Sequence, residues 1–172
     1  MLKNYKRCSK CVSDTTIPGI SFNDKNICNY CEIHDEMEKQ YPLGKPGEQI
    51  LNNLINKIKI VGKNKEYDCI VGVSGGTDSS YLLYTSIKLG LRPLAVHYDN
   101  GWNSSLAVTN IKLITEKLGV DLYTYVNDWE EFKDLQISFL KASTSDAEIP
   151  TDVGLLGCLL RVASKMKIKY IL

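Results

Sequence analysis

The chain has 172 residues, enough for one sizeable hydrophobic core with a smaller appendage beside it. Its 21 Lys and Arg against 20 Asp and Glu leave almost no net charge, which excludes the strongly basic balance of a protein that grips a nucleic acid backbone, so no nucleic acid partner is expected. Met1 to Arg7 are polar and run straight into Cys8, leaving no room for a signal segment, and no later run reaches the roughly 18 to 20 apolar residues of a membrane span. A cytoplasmic protein with no membrane partner is the expectation.

Four of the six cysteines form two tight pairs, Cys8/Cys11 and Cys28/Cys31, with 16 residues between them. Two C-x-x-C turns at that spacing close tetrahedrally on one zinc, and the turn residues Pro18, Gly19, Asn23 and Asp24 can return the second pair to the first. Four thiolates fill the coordination shell and leave no position for water, so residues 1–45 are predicted to be a structural four-cysteine zinc module. An iron–sulfur site or a redox dithiol are the alternatives. His34 is either a competitor of Cys31 for the fourth position or a surface histidine at the start of a helix. Cys69 and Cys158 sit in apolar segments and read as buried structural thiols, a pattern of a reducing compartment rather than a disulfide scaffold.

The stretch Tyr41 to Gly47 breaks regular structure and marks the boundary with a second domain, residues 46–172. Gln49 to Lys59 reads as a helix with Ile50, Leu54, Ile55 and Ile58 on one face. Lys57, Lys59, Lys63 and Lys65 need no partner beyond solvent. Tyr67 to Val73 reads as a buried strand pointing into Ser74-Gly75-Gly76-Thr77-Asp78-Ser79-Ser80. A helix carrying Tyr81, Leu82, Leu83, Tyr84, Ile87 and Leu89 follows, and Gly90 stops it. Strand, glycine turn and helix is the setting of a phosphate loop: the glycines let the backbone wrap an anion, while the first helical amides and the hydroxyls of Ser74, Thr77, Ser79 and Ser80 donate to it. Neither a Walker loop nor a G-x-G-x-x-G fingerprint is present. Asp78 would repel a phosphate, so it either caps the helix or helps hold a cation that neutralises the phosphates.

The run SGGTDSS after an apolar strand resembles the S-G-G-x-D-S signature of the PP-loop ATP pyrophosphatases, the superfamily of GMP synthetase, NAD synthetase, asparagine synthetase and tRNA-thiolating enzymes. The resemblance implies ATP as a substrate and assigns Ser74, Gly75, Gly76, Asp78, Ser79 and Ser80 to its pyrophosphate and Mg ion, with Thr77 as a further hydroxyl donor. It also sets the end of the next strand, Val96 and His97, against the adenine or ribose.

Leu91 to His97 reads as that strand, closed by the turn Tyr98-Asp99-Asn100-Gly101. A helix from about Leu106 to Leu118 follows, with Leu106, Ile111, Ile114 and Leu118 on its core side. Gly119 ends it, and Val120 to Val126 is a third strand. Two successive strand–helix units argue for an α/β fold with a mostly parallel sheet, flanking helices and ligands held outside the C-terminal strand ends. His97 there is either a ligand group or a satisfied histidine, and Trp102 either covers a ligand or packs over the strand end. Asp99 either binds a cation or organises the turn; its pairing with Asp78 at a neighbouring strand end suits Mg-ATP. Trp129, Phe132, Leu135 and Phe139 give the next helix an apolar face. A loop from Lys141 leads to a helix over Gly154 to Met166 that carries Cys158 and Arg161, for which Thr151 or Asp152 would be the cap. Lys169 to Leu172 begins a last strand.

Over its whole length the chain resembles the N-acetyl sugar amidotransferases of surface-polysaccharide and flagellar-glycan biosynthesis. The shared features are C-x-x-C-V-x-x-x-T-x-P-G-I-x-F at Cys8 to Phe22, Cys28 and Cys31, V-S-G-G-T-D-S-S at Val73 to Ser80, H-Y-D-N-G-W-N-S at His97 to Ser104 and D-A-E-I-P-T-D at Asp146 to Asp152. The resemblance implies activation of an acetamido group by ATP and its displacement by ammonia from a partner glutamine amidotransferase. Asp78, Asp99 and Asp152 are the catalytic candidates; Asp146, Glu148 and Asp152 either orient sugar or ammonia or are ordinary loop residues. Sulfur transfer to tRNA, with Cys158 as a carrier, is the competing enzyme, and a zinc module for protein contact without catalysis is the other alternative. Members of the resembled family run well beyond residue 172, so an N-terminal fragment that holds ATP without turning over a sugar is expected.

Overall fold

The computed structural model describes residues 5–172. Met1 to Asn4, part of the polar opening considered above, lie outside them. The chain forms two compact units that divide between Asn53 and Leu54. That division falls inside a helix, whereas the sequence pointed to Tyr41–Gly47.

In the first unit, Arg7 pairs with Asp14 and Phe22 with Cys28 in isolated antiparallel bridges, so each C-x-x-C pair is anchored at a turn. Helix α1 (Asn29–Gln40) begins at the second pair: Cys28 takes its N-cap position and Cys31 is buried in its first turn. The buried residues here are Cys8, Cys28 and Cys31, with Cys11, Ile20, Phe22 and Ile27 packed against them. So small an apolar set needs a staple other than hydrophobic burial. Helix α2 (Lys45–Gly62) is longer than the predicted Gln49–Lys59 at both ends. Pro46 sits at its second position, where the missing N–H has no intrahelical acceptor to lose, so Pro46-Gly47 does not break the helix as expected. Ile55 and Ile58 are the large side chains α2 buries; Ile50 and Leu54, predicted on the same face, stay exposed.

The second unit is built on three parallel strands in the order β1 (Cys69–Gly72), β2 (Pro93–Asp99), β3 (Leu122–Val126). Register runs from Cys69 opposite Pro93 to Gly72 opposite Val96, and from Ala95 opposite Leu122 to Asp99 opposite Val126. The predicted last strand is present as one parallel bridge, Ile171 with Ile70, on the free side of β1, held by Ile70 N–H to Tyr170 O and Leu172 N–H to Ile70 O, each 2.9 Å. Helices α3 (Thr77–Lys88) and α4 (Ser105–Leu118) link the strands; α5 (Trp129–Lys141) and α6 (Ile149–Lys165) follow β3.

Both faces of the sheet are covered, which is why β1 and β2 read as continuous apolar runs and not as alternation. Leu83 of α3 and Ile111 of α4 pack with Val71, Val73 and Ala95 on one face. On the other, Cys158, Leu159, Val162 and Ala163 of α6 pack with Ile70, Leu94, Val96 and Tyr98. Leu106, expected on the core side of α4, is exposed. At the N-terminal strand ends, the buried Asp68 receives the Arg92 guanidinium (2.7 Å from Nη2, 3.2 Å from Nε) and the Arg92 amide (2.9 Å). The same guanidinium donates to the Gly62 and Lys65 carbonyls, both at 2.7 Å, and so ties the end of α2 to the sheet.

Helix α6 starts at Ile149, five residues before the predicted Gly154, because Pro150 is accommodated in its first turn. Thr151 and Asp152 therefore lie inside the helix and are not its cap; the N-cap residue is Glu148, without a side-chain cap bond. No helix among the described residues is long and apolar enough to cross a membrane.

Candidate functional site

The Ser74–Ser80 loop leaves β1 and becomes the first turn of α3. Gly75 adopts φ +77°, the left-handed region, and a Cβ there would run into the Ala107 backbone of α4. Glycine is thus required by conformation and by contact at once. Asn110 of α4 donates to the Gly75 carbonyl (3.1 Å), fixing the turn from the same side. Within the loop the Ser74 amide donates to Ser79 Oγ at 3.2 Å, the two hydroxyls are 3.1 Å apart, and Ser80 Oγ donates to the Gly76 carbonyl at 2.7 Å. Gly76, at φ −83° and ψ 172°, is the N-cap of α3 and supplies no side-chain cap. Asp78 as a cap is thereby overturned: Thr77 and Asp78 both lie in the first turn, exposed, with the helix start left open to an external acceptor.

Behind the loop lies a cavity of about 310 Å³ at the C-terminal ends of β1 and β2. Val73, Ser74 and Ser79 form one side, His97 and Tyr98 the floor, Asn100 and Asn103 the far loop, and Thr151 and Leu155 of α6 the remaining wall. Three of the residues singled out from the sequence, Ser74, Ser79 and His97, line it together. Gly75, Gly76, Thr77, Asp78 and Ser80 belong to the same loop and helix start without lining it, and Val96, Asp99 and Asp152 do not line it either. Val96 is fully buried in the core beneath, its carbonyl taken by the Val73 amide at 2.9 Å. Asp99 ends β2 and uses Oδ1 to accept from the Gly101 amide (3.0 Å) and Asn103 Nδ2 (2.8 Å), so it organises the following turn. Asp152 is exposed one residue beyond Thr151, and Asp146 accepts from the Glu148 amide at 2.8 Å as a loop residue. Trp102 is exposed and meets Trp129 edge-on, 5.2 Å between ring centres.

Tyr98, Asn100 and Asn103 fall in the strand-end stretch where ligands were expected, whereas Thr151 and Leu155 were not singled out for the ligand site by sequence reasoning. Asn100 Nδ2 donates to Thr151 Oγ1 at 3.1 Å, which joins the loop after β2 to the first turn of α6 over 51 positions of sequence. Tyr98 accepts from Asn127 Nδ2 at 2.9 Å, and burial holds its phenol above the ordinary value, so it stays a neutral donor. Cys158 is a core residue whose thiol burial raises, a poor setting for a sulfur carrier.

In the first unit, Cys8, Cys11, Cys28 and Cys31 bring their sulfurs within 4.8 Å of one another. Cys8 and Cys31 are 3.9 Å apart and Cys11 and Cys28 3.7 Å. The edge of a tetrahedron with Zn–S bonds of about 2.3 Å is about 3.8 Å, so the set fits a zinc ion. Burial disfavours a Cys8 thiolate, but the Lys10 and Cys28 amides, each 3.3 Å from its sulfur, more than offset it and bring the thiol to about 6. Burial pushes Cys31 up to about 12, so a dication is what would let all four ionise together. His34 is exposed and sits with Asp35 and Glu38, not with the sulfurs.

No family model matches the chain. An uncharacterized protein of Methanocaldococcus jannaschii is 31% identical over 131 residues, which make up 73% of this chain and 44% of that protein. Among solved structures, NMN synthetase from Francisella tularensis aligns with a TM-score of 0.51 at 20% identity, over 74% of this chain and 54% of that one. NH3-dependent NAD synthetase from Campylobacter jejuni aligns at 0.49 and 15% identity, over 72% and 54% of the two chains. The chain thus spans about half the length of the proteins it matches. The likeness to NMN synthetase shows the fold.

Proposed function

We propose that this chain carries the ATP site of an enzyme that activates the acetamido group of an N-acetyl sugar for displacement by ammonia. The observation that carries the nucleotide site is the open N-terminus of α3, with Gly75 and Gly76 before it, at the mouth of a cavity floored by β1 and β2. Ser74, Gly75, Gly76, Thr77, Ser79 and Ser80 would hold the β- and γ-phosphates. Asp78 and Asp99 would hold Mg: Asp78 is exposed at the helix start and Asp99 keeps Oδ2 beside its engaged Oδ1. Mg binds through one or two carboxylates plus phosphates and water, so no larger carboxylate set is needed.

In the reaction, the acetamido oxygen attacks the α-phosphorus and the bond to the β-phosphate oxygen breaks, releasing pyrophosphate. Ammonia then adds to the acetamido carbon, the C–O bond breaks to release AMP, and loss of a proton leaves the acetamidino group. No protein nucleophile is required, so placement and the phosphate cradle would supply the rate. Asp152, next to the cavity-lining Thr151, would meet the sugar or the ammonia. That the fold is shared with a synthetase supports this class of chemistry, and the sugar rests on the motifs from Cys8 to Asp152. A glutamine amidotransferase partner would supply the ammonia, the four cysteines would hold a structural zinc, and the six free thiols fit the cytoplasm.

The test is calorimetry with MgATP on this chain, followed by pyrophosphate release with N-acetyl sugars and ammonium. Micromolar to millimolar binding is expected of this chain, and sugar-dependent release is expected only of a protein of its relatives' full length. No MgATP binding overturns the nucleotide site; release that responds to tRNA and not to sugars moves the chemistry to sulfur transfer.

A further inference from the structure

A second cavity, of about 460 Å³, lies between β3 and α6 and is lined by Tyr123, Tyr125, Arg161, Val162 and Lys165. None of the five lines the nucleotide cavity. Arg161 and Lys165, four apart on α6, share one face of the helix, and Tyr123 and Tyr125, two apart on β3, share one face of the sheet. No carboxylate joins them. From Val153 to Leu172 the chain has the cations Arg161, Lys165, Lys167 and Lys169 and neither Asp nor Glu. The acids that flank β3 are engaged elsewhere: Asp121 Oδ2 accepts from Tyr67 Oη at 2.9 Å, and Asp128 Oδ1 from the Glu131 amide at 3.0 Å. The ion pairs among the described residues use other cations. A lysine in the last turn answers the helix dipole, but Arg161 stands a turn earlier, and like charges four apart on a helix repel. A bound anion would relieve that repulsion.

We infer that this cavity binds a small organic phosphate, its phosphate group between Arg161 and Lys165 and its body against the tyrosine rings. The guanidinium fork matches phosphate oxygens, and the ammonium adds a point charge beside it. Two cations suit a group that carries nearly two negative charges at neutral pH better than they suit a carboxylate. The rings supply the apolar wall that an inorganic ion would not need. Lys165 Nζ already lies 5.8 Å from the centre of the Tyr123 ring, so charge and aromatic face serve the same space. The volume is that of a small-ligand pocket, and the near-zero net charge of the chain speaks against a polynucleotide. The site stands apart from the nucleotide reading, although the two are neighbours: Tyr125 stacks on Tyr98, 6.1 Å between ring centres, and Tyr98 floors the nucleotide cavity.

Amide NMR of the isotope-labelled chain, titrated with phenyl phosphate, benzyl alcohol and inorganic phosphate, is the test. Phenyl phosphate should shift the amides of Tyr123, Tyr125, Arg161 and Lys165. It should bind about tenfold more tightly than either of the other probes, and more weakly as salt is raised. Arg161→Gln and Lys165→Gln keep a long helix-forming side chain and remove the charge; each should weaken phenyl phosphate about three- to tenfold and leave the amide spectrum away from the cavity unchanged. Shifts that are absent there, or confined to the Gly75–Ser80 loop, overturn the site, as does unchanged affinity in both variants. Benzyl alcohol binding equally well refutes the role of the charges, and inorganic phosphate binding equally well refutes that of the rings. Displacement of phenyl phosphate by a short single-stranded oligonucleotide at micromolar concentration would overturn the small ligand in favour of a nucleic acid. MgATP calorimetry is a separate measurement at a separate cavity, so failure of either reading leaves the other standing.

Discussion

Gly75 and Gly76 are adjacent, yet the structure constrains them differently, and alanine at each separates folding from binding. An alanine at 75 would keep φ near +77°, a left-handed geometry costing about 1–2 kcal/mol for an L-residue. Its Cβ would stand 2.8 and 2.9 Å from Ala107 Cα and C and closer still to the carbonyl oxygen. Forcing α4 away costs a further ~1–3 kcal/mol by analogy with overpacked cores. The sum, about 2–5 kcal/mol, corresponds to a melting temperature lowered on the order of 10 °C. At 76 the backbone is ordinary extended, and the nearest atom to a new Cβ is Ser74 Oγ at 3.4 Å. Gly76→Ala should fold within about 1 kcal/mol of the parent, on the stabilising side if anything. Nothing in the fold demands glycine there, so its use points to close approach of a ligand, and Gly76→Ala should lose at least about tenfold in MgATP affinity. Scanning calorimetry and isothermal titration on both variants decide the matter. A Gly75→Ala protein that melts within a degree of the parent refutes the strain argument, and a Gly76→Ala protein that binds MgATP normally refutes the phosphate approach.

The cysteine module should contain one zinc per chain by mass spectrometry, and chelation should unfold the first unit while leaving the parallel sheet; iron, or no metal, would overturn this. Asp78→Asn should keep the melting temperature, since Gly76 and not Asp78 occupies the N-cap, and should weaken binding roughly tenfold only when Mg is present; equal affinity in both proteins would reduce Asp78 to a surface charge. Arg92→Ala should cost about 2–3 kcal/mol in urea unfolding. That is less than the ~3–5 kcal/mol of a fully buried pair, because Arg92 is half-exposed and the Arg92 amide still serves Asp68. A cost below about 0.5 kcal/mol would show that solvent already balances the clamp.

The parts of this architecture that local sequence could announce are those governed by chain-local rules. The continuous apolar run before Ser74, the glycines after it and Gly119 as the left-handed stop of α4 are of that kind. The two C-x-x-C turns are another, since both pairs converge as their spacing required. The misses lie where a rule meets its exception. Pro46 and Pro150 look like breaks, but proline is tolerated in a first turn, and each lies at the second position of its helix. The missed cavity residues have a different origin. Thr151 and Leu155 reach the site only because α6 crosses back over the sheet, and no local pattern around them reports that crossing.

That crossing also explains why the site lies where it does. The chain moves from β1 to β2 to β3 with α3 and α4 on one face, then returns past β1 to the Ile171 bridge with α6 on the other. Helices on opposite faces must start on opposite sides of the same C-terminal strand ends, and the gap between their first turns cannot be filled by either. Ser79 is the third residue of α3 and Thr151 the third of α6, and both line the cavity. Of the four helices that follow β1, the two whose first turns do not line the cavity carry a side-chain cap, α4 by Ser104 (3.1 Å to the Ala107 amide) and α5 by Asp128 (3.0 Å to the Glu131 amide). α3 and α6 have no side-chain cap. Capping is worth about 1 kcal/mol per helix, so leaving both of these ends open forgoes stability at the place where their amides can serve a ligand. A threonine or serine cap placed at Gly76 should therefore stabilise the fold and compete with phosphate. The same change in binding without a rise in melting temperature would mean that bulk alone, and not the satisfied amides, closes the loop.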